Sequence, residues 1–269
     1  MSRLNDALKG CRKLAVLLSG GVDSSLLAAA AARALGAGNV LALTASSPLT
    51  TEGDTQAAAE VAALLAVRHR VLAFDALALP EVAGNLPERC HACKREIIRL
   101  AQEIAQAEGF GLLAEGSNAD DLEEERPGMR AVREAGVLSP LAAAGLRKPE
   151  VRELARGLGL AVWDRPSSPC LATRFPTGHR LLEDELALVA RAERSVRAMG
   201  LAIVRLRHRG PGLVALECGP QELATARSLA EAIEASLAAL NLALAGPPLP
   251  YGANRKPPPE AAGAMASHL

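Results

Sequence analysis

Apolar positions in the first part of the chain fall into short continuous blocks separated by longer Ala/Leu-rich stretches. Leu14-Ala15-Val16-Leu17-Leu18 is such a block, ending in Ser19-Gly20-Gly21. An unbroken apolar run of this length predicts a strand buried on both faces. Residues 24–35 contain no breaker and close at Gly36, which predicts a helix. The same reading places strands at 40–45, 69–74 and 111–115, and helices at 56–67 and 94–108. Strands alternating with helices of this length build βαβ units, so the predicted fold class is α/β with a doubly wound parallel sheet.

The pattern then changes. Residues 116–136 are polar and read as a loop over the sheet's edge, and Pro149 opens a helix continuing over 150–157. Trp163-Asp164-Arg165-Pro166-Ser167-Ser168-Pro169-Cys170 breaks all periodicity. From residue 182 the order is a helix to 199, two strands around Gly210-Pro211-Gly212, and a helix over 221–244. The expected organisation is therefore a first domain over 1–165, an irregular cysteine-bearing loop over 166–181, a small α+β domain over 182–245, and a Pro-rich mobile tail over 246–269.

Composition narrows the class more than the function. The 269 residues carry 30 basic and 30 acidic side chains for a net charge of +0, with 49% hydrophobic and 2% aromatic residues. A chain of this size buries enough surface to need no covalent staple, and the scarcity of rings implies an aliphatic core. Zero net charge argues against coating nucleic acid by bulk electrostatics. No apolar run reaches the roughly 20 residues of a membrane helix, and the N-terminus lacks a signal-peptide layout. An odd count of five cysteines argues against a secreted disulfide scaffold. The expectation is a cytoplasmic protein with free or metal-bound thiols.

The strongest chemical signal is Ser19-Gly20-Gly21-Val22-Asp23-Ser24-Ser25 between the first predicted strand and helix. Free N–H groups and the positive helix end favour a phosphate there, and two glycines allow close approach. The serines offer hydroxyls, and Asp23 can hold a magnesium ion or cap the helix. No lysine follows, unlike the G-x-x-x-x-G-K-[ST] loop. A plain Gly-rich helix cap is the alternative.

Cys90-His91-Ala92-Cys93 lies at the start of a predicted helix, and Cys170 in the irregular segment. A lone C-x-x-C can be a zinc half-site, a redox pair or a cluster ligand. No second C-x-x-C completes a four-ligand zinc site. Three thiolates suit a 4Fe–4S cluster with one open iron, although four are commoner, and inert thiols remain an alternative. Cys11 and Cys218 read as small buried hydrophobes.

The heptad at 19–25 resembles the S-G-G-x-D-S-[ST] signature of the PP-loop ATP pyrophosphatases, and further matches narrow the likeness. Arg89-Cys90-His91-Ala92-Cys93-Lys94, Gly116-Ser117-Asn118-Ala119-Asp120-Asp121 with Arg126-Pro127-Gly128, Pro169-Cys170-Leu171-Ala172-Thr173-Arg174, and Val204-Arg205-Leu206-Arg207-His208 resemble, in order, segments of the LarE family of ATP-dependent sulfur transferases. Pro169 replaces a small residue before the cysteine, and Ser117 replaces threonine.

That resemblance implies ATP and Mg2+ held by Ser19, Gly20, Gly21, Val22, Asp23, Ser24 and Ser25, with Ser46 and Ser47 contacting the nucleotide; Asn118 and Asp121 join that site because they sit at a strand's carboxyl end, where ligands collect in open α/β sheets. It implies adenylation of the carboxylates of pyridinium-3,5-biscarboxylic acid mononucleotide, then displacement of AMP by sulfur, in nickel-pincer cofactor assembly. Sulfur would come from sulfide or another donor through a 4Fe–4S cluster on Cys90, Cys93 and Cys170, or sacrificially from Cys170. Arg174, Glu193, Arg205, Arg207 and Glu222 would bind the substrate, in a trimer or hexamer. Arg205 and Arg207 alternate on a predicted strand and so share a face, which suits a phosphate but also an edge strand with ordinary ion pairs. Competing readings are a tRNA thiolation enzyme, disfavoured by the neutral charge, and an amide-forming synthetase of the NAD synthetase type, which needs no cysteine.

Overall fold

The computed structural model describes residues 1–123 and 126–252. The chain divides into two compact units that part between Ala187 and Leu188. In the first, β1 (Leu14–Leu17), β2 (Val40–Ser46), β3 (Arg68–Ala73) and β4 (Leu113–Ala114) form a wholly parallel sheet in the order β3-β2-β1-β4. The α/β prediction holds. β1 is central, with Val16 opposite Ala42 on one side and Ala114 on the other.

The continuous apolar run of β1 has a simple cause. Leu14, Val16 and Leu18 enter a core with α2 (Val22–Leu35), α3 (Glu52–Leu64) and α8 (Lys148–Gly157). Ala15 and Leu17 enter a second core with Ile98, Ala101 and Ala105 of α5 (Arg89–Ala107). A strand covered by helices on both faces has no polar side to show. The outer strand β3 differs: only Leu72 is buried, and Arg68 and Arg70 both pair with Glu108 at 2.9 Å. Charge on an exposed edge blunts unwanted strand pairing.

Several expected boundaries move. The helix carrying the C-x-x-C begins at Arg89, so both cysteines lie in its first turns. The predicted loop over 116–136 contains a helix, α6 (Pro127–Glu134), with Met129, Ala131 and Val132 buried. Pro127 opens that helix at a position where a missing N–H costs nothing, rather than breaking a chain segment. The short helices α1 (Ser2–Ala7), α4 (Pro80–Ala83) and α7 (Pro140–Ala143) also had no counterpart in the sequence reading.

α9 (Glu183–Arg197) carries the chain into the second unit, where β5 (Val204–Gly210) and β6 (Leu213–Cys218) form an antiparallel hairpin. The single helix expected over 221–244 is instead α10 (Leu223–Ser228) and α11 (Ala230–Ala238), followed by β7 (Ala243–Leu244) beside β6. Asn241 adopts φ 58° after α11, and Leu242 N donates to Leu237 O at 2.9 Å, a left-handed cap that ends the helix. Leu249–Pro250 of the expected tail form β8, also beside β6. Residues 253–269 of that tail lie outside the described residues. Among the described residues no helix is long and apolar enough to cross a membrane.

Candidate active site

In the order β3-β2-β1-β4 the chain runs one way from β1 to β2 and returns on the other side at β4. The crevice at such a reversal, outside the strands' carboxyl ends, collects ligands in open α/β sheets. The segment from Ser19 to Ser24 occupies that place. Gly20 has φ 75°, and a Cβ there would stand 2.4 Å from the Asp54 carbonyl oxygen. Gly116, at the end of β4, faces the same turn, and its Cβ would stand 2.7 Å from Ser24 N. Both glycines are therefore required for the chain segments to meet.

The hydroxyls shape the turn. Ser19 N donates to Ser24 Oγ at 3.1 Å, and Ser24 Oγ donates to Gly21 O at 3.2 Å. Ser25 Oγ is buried with no hydrogen-bond partner, an unusual state for a hydroxyl and one that a phosphate oxygen could satisfy. Asp23 lies in the first turn of α2, where its Oδ1 accepts from Asn118 Nδ2 at 3.0 Å and its Oδ2 pairs with Lys148 Nζ. Asn118 and Asp121 cap one short turn reciprocally: Asp120 N donates to Asn118 Oδ1 at 2.9 Å, and Asn118 N to Asp121 Oδ2 at 3.1 Å. Arg126 in turn pairs with Asp121 at 2.6 Å.

A cavity of about 500 Å³ opens over this loop, lined by Ser19 to Ser24, Ser47, Asp121 and Lys148 and also by Cys93 and Cys170. An adjoining cavity of about 410 Å³ is lined by Cys90, Cys93 and Cys170 together. The structure thus brings Cys170 to the cavity that Cys90 and Cys93 of α5 also line. Burial first, then the neighbouring Cys170 and Cys90, push the Cys93 thiol up to about 12. Burial and Cys90 likewise raise Cys170, against the lowering fields of Arg89 and Arg174. Among the described residues the three sulfurs do not all lie within 4.8 Å of one another.

Comparison with known proteins agrees with this geometry. Residues 3–106 match the asparagine synthase family model. The chain is 37% identical over 208 residues to an uncharacterized protein of Synechocystis, covering 77% of each chain. It is 34% identical over 201 residues to pyridinium-3,5-bisthiocarboxylic acid mononucleotide synthase of Lactiplantibacillus plantarum, covering 75% of this chain and 73% of that one. The chain belongs to the LarE family. It is an ATP-dependent sulfur transferase of the PP-loop type.

Other residues that the LarE resemblance singled out have structural partners of their own. Ser46 ends β2, and its carbonyl accepts from Phe74 N at 3.1 Å. Ser47 Oγ accepts from Leu49 N at 3.2 Å. Arg174 is 1% exposed and turned toward its own loop, donating to Pro169 O at 2.7 Å and Cys170 O at 3.3 Å. In the second unit Arg205 and Arg207 do share a face of β5: Arg205 lies 5.8 Å from the Tyr251 ring centre, and Arg207 pairs with Glu217 at 2.9 Å. Glu193 accepts from Leu206 N at 2.9 Å, and Glu222 accepts from Ile203 N at 3.1 Å and Gly219 N at 2.9 Å.

Sequence reasoning missed Lys148, the cation that reaches the loop from α8 rather than from the loop itself. It also missed Glu115, a buried carboxylate on both cavity walls that accepts from Ser117 Oγ at 2.8 Å and Ser139 Oγ at 2.7 Å and lies 3.8 Å from Lys94 Nζ. Neither has a local signal: Lys148 reads as an ordinary residue at a helix start, and Glu115 as the last position of a strand.

Proposed function

We propose that this LarE-family enzyme adenylates the carboxylates of pyridinium-3,5-biscarboxylic acid mononucleotide and converts them to thiocarboxylates, feeding nickel-pincer nucleotide assembly. The observation that carries this reading is the shared cavity: Cys93 and Cys170 line the same cavity as the phosphate loop. A carboxylate oxygen attacks the α-phosphorus of ATP and pyrophosphate leaves. A sulfur nucleophile then attacks the acyl carbon and AMP leaves. Both steps need one acyl group within reach of a phosphate site and a thiol. Asp23 would carry Mg2+, Ser19 to Ser25 would cradle the phosphates, and Lys148 would offset their charge. Arg174 and, in the second unit, Glu193, Arg205, Arg207 and Glu222 would serve the substrate, in a homo-oligomer without nucleic acid.

Cys90, Cys93 and Cys170 fit a 4Fe–4S cluster. Three thiols line one cavity, and each of the other two raises the Cys93 thiol, so three thiolates are mutually unfavourable without a cationic core between them. When bound, such a cluster supplies an open iron at which inorganic sulfide can be held. The test is anaerobic reconstitution with iron and sulfide, followed by iron and acid-labile sulfide analysis and by intact mass before and after turnover. Bound iron and unchanged mass support the cluster. An iron-free protein that loses one sulfur from Cys170 in a single turnover identifies the sacrificial route instead.

A further inference from the structure

Arg165 lies in the irregular segment that leads to Cys170, yet its guanidinium reaches back to the phosphate loop. Its Nη1 donates to Gly20 O at 3.0 Å. Its Nη2 donates to Gly53 O at 3.0 Å and to Asp54 Oδ1 at 2.9 Å. The second carboxylate oxygen of Asp54 accepts from Thr51 Oγ1 at 2.6 Å and from Ser168 Oγ at 3.0 Å. Asp54 also presents its backbone oxygen to Gly20 so closely that no Cβ fits between them. Two residues beyond Ser168 is Cys170, and Leu171 N donates to Leu49 O at 3.0 Å. The backbone end of Arg165 is fixed as well, because Arg152 donates to Trp163 O at 2.7 Å and Arg165 O at 3.1 Å. A short chain of charge-assisted hydrogen bonds therefore runs from Gly20 through Arg165 and Asp54 to Ser168.

Arg165, Asp54 and Ser168 all line the cavity over the phosphate loop. An anion in that cavity competes with the Asp54 carboxylate for the same guanidinium, and planar bidentate recognition favours a phosphate as readily as a carboxylate. We propose that Arg165 and Ser168 are positioning residues: filling the phosphate loop draws Arg165 from Asp54, loosens the Ser168 tether, and releases the segment that carries Cys170. Cys170, itself exposed, is thus tethered through its segment until phosphate arrives and moves more freely then, which orders activation before sulfur delivery. The inference rests on the sulfur-transferase assignment and concerns the protein without a cluster, in which Cys170 is not held as an iron ligand.

Alkylation of each cysteine, followed by peptide mass mapping, tests this on the full chain stripped of iron. The probe is magnesium pyrophosphate, which fills the loop without an adenosine that could shield Cys170. In the unchanged protein pyrophosphate should speed Cys170 alkylation about threefold or more and leave Cys11 unaltered. Ser168→Ala should alkylate at the faster rate without pyrophosphate and respond to it less than about 1.5-fold. Arg165→Lys keeps the charge but loses the fork, and should lose the response too. Pyrophosphate affinity from calorimetry and the melting temperature of each variant separate this from misfolding, because a misfolded variant would also alter Cys11. Pyrophosphate binding with no change at Cys170, or an undiminished response in well-folded variants, overturns the inference alone. Absence of any nucleotide or pyrophosphate binding overturns the functional reading with it.

Discussion

Lys148 at the start of α8 pairs with Asp23 at the start of α2, joining residues 125 positions apart across the mouth of the phosphate loop. On the proposed reading Asp23 carries Mg2+ and Lys148, its neighbour, offsets the charge of the departing pyrophosphate. Lys148→Met should therefore lower kcat/KM for ATP on the order of a hundredfold. ATP–pyrophosphate exchange reads this directly. Unchanged exchange would reduce Lys148 to a surface ion pair.

On the proposed mechanism Cys170 serves the second half-reaction only. Cys170→Ala should abolish thiocarboxylate formation while leaving substrate-dependent pyrophosphate release within about threefold of the unchanged enzyme. Parallel loss of both activities would place Cys170 in the adenylation site instead.

Gly20 tests the loop geometry. An added methyl would collide with the Asp54 carbonyl and would have to hold φ 75°. Gly20→Ala should cost about 1–3 kcal/mol in stability, as strain at a left-handed position does, and should weaken nucleotide binding more than tenfold. The control is Gly136→Ala: that glycine has φ 63° but no atom within 4 Å of the added carbon. It carries the strain without the collision and should leave nucleotide binding intact. Thermal melting and nucleotide titration of the two variants separate the effects.

The sheet was legible because β1 and β2 are buried on both faces, so their residues had to be uniformly apolar whatever the ligand. The phosphate loop was legible for a related reason: backbone contact with a phosphate demands glycine and serine in a fixed order. α6 was hidden because Pro127 signals both a loop and a helix start, and only burial of Met129 and Val132 decides between them. Lys148, Glu115 and Arg165 were illegible because their roles arise from partners far along the chain: Asp23, Ser139 and Asp54 are brought to them by the fold alone. The break between α10 and α11 was also invisible, since the sequence there offers neither Gly nor Pro.

Cys93 gives a pH signature. Its thiol is raised from the ordinary value of 9.0 to about 12, chiefly by burial. The folded state thus prefers the neutral thiol, and an unfolded chain ionises first as pH rises. The contribution is fully present below pH 9 and is lost between about 9 and 12. Metal-free protein should therefore lose stability over that window, and Cys93→Ser should lose less. Denaturant midpoints at pH 8 and 10 check the difference. Equal losses in both proteins would show that Cys93 ionises as freely folded as unfolded.

Arg207 poses a choice between substrate binding and folding, and the structure offers a way to separate them. Its partner Glu217 is 0% exposed on β6, so removing Arg207 takes a charged donor from a buried carboxylate. Arg207→Ala alone should cost roughly 1.5–3 kcal/mol. That loss alone could raise a KM through partial unfolding. Arg207→Ala with Glu217→Gln removes the buried charge together with its partner, and should recover most of the melting temperature. If Arg207 also holds the substrate phosphate, KM for the mononucleotide should stay raised about tenfold or more in the double variant, while KM for ATP returns to normal. A double variant with both constants normal would assign Arg207 to the stability of the hairpin and leave the substrate phosphate to other residues.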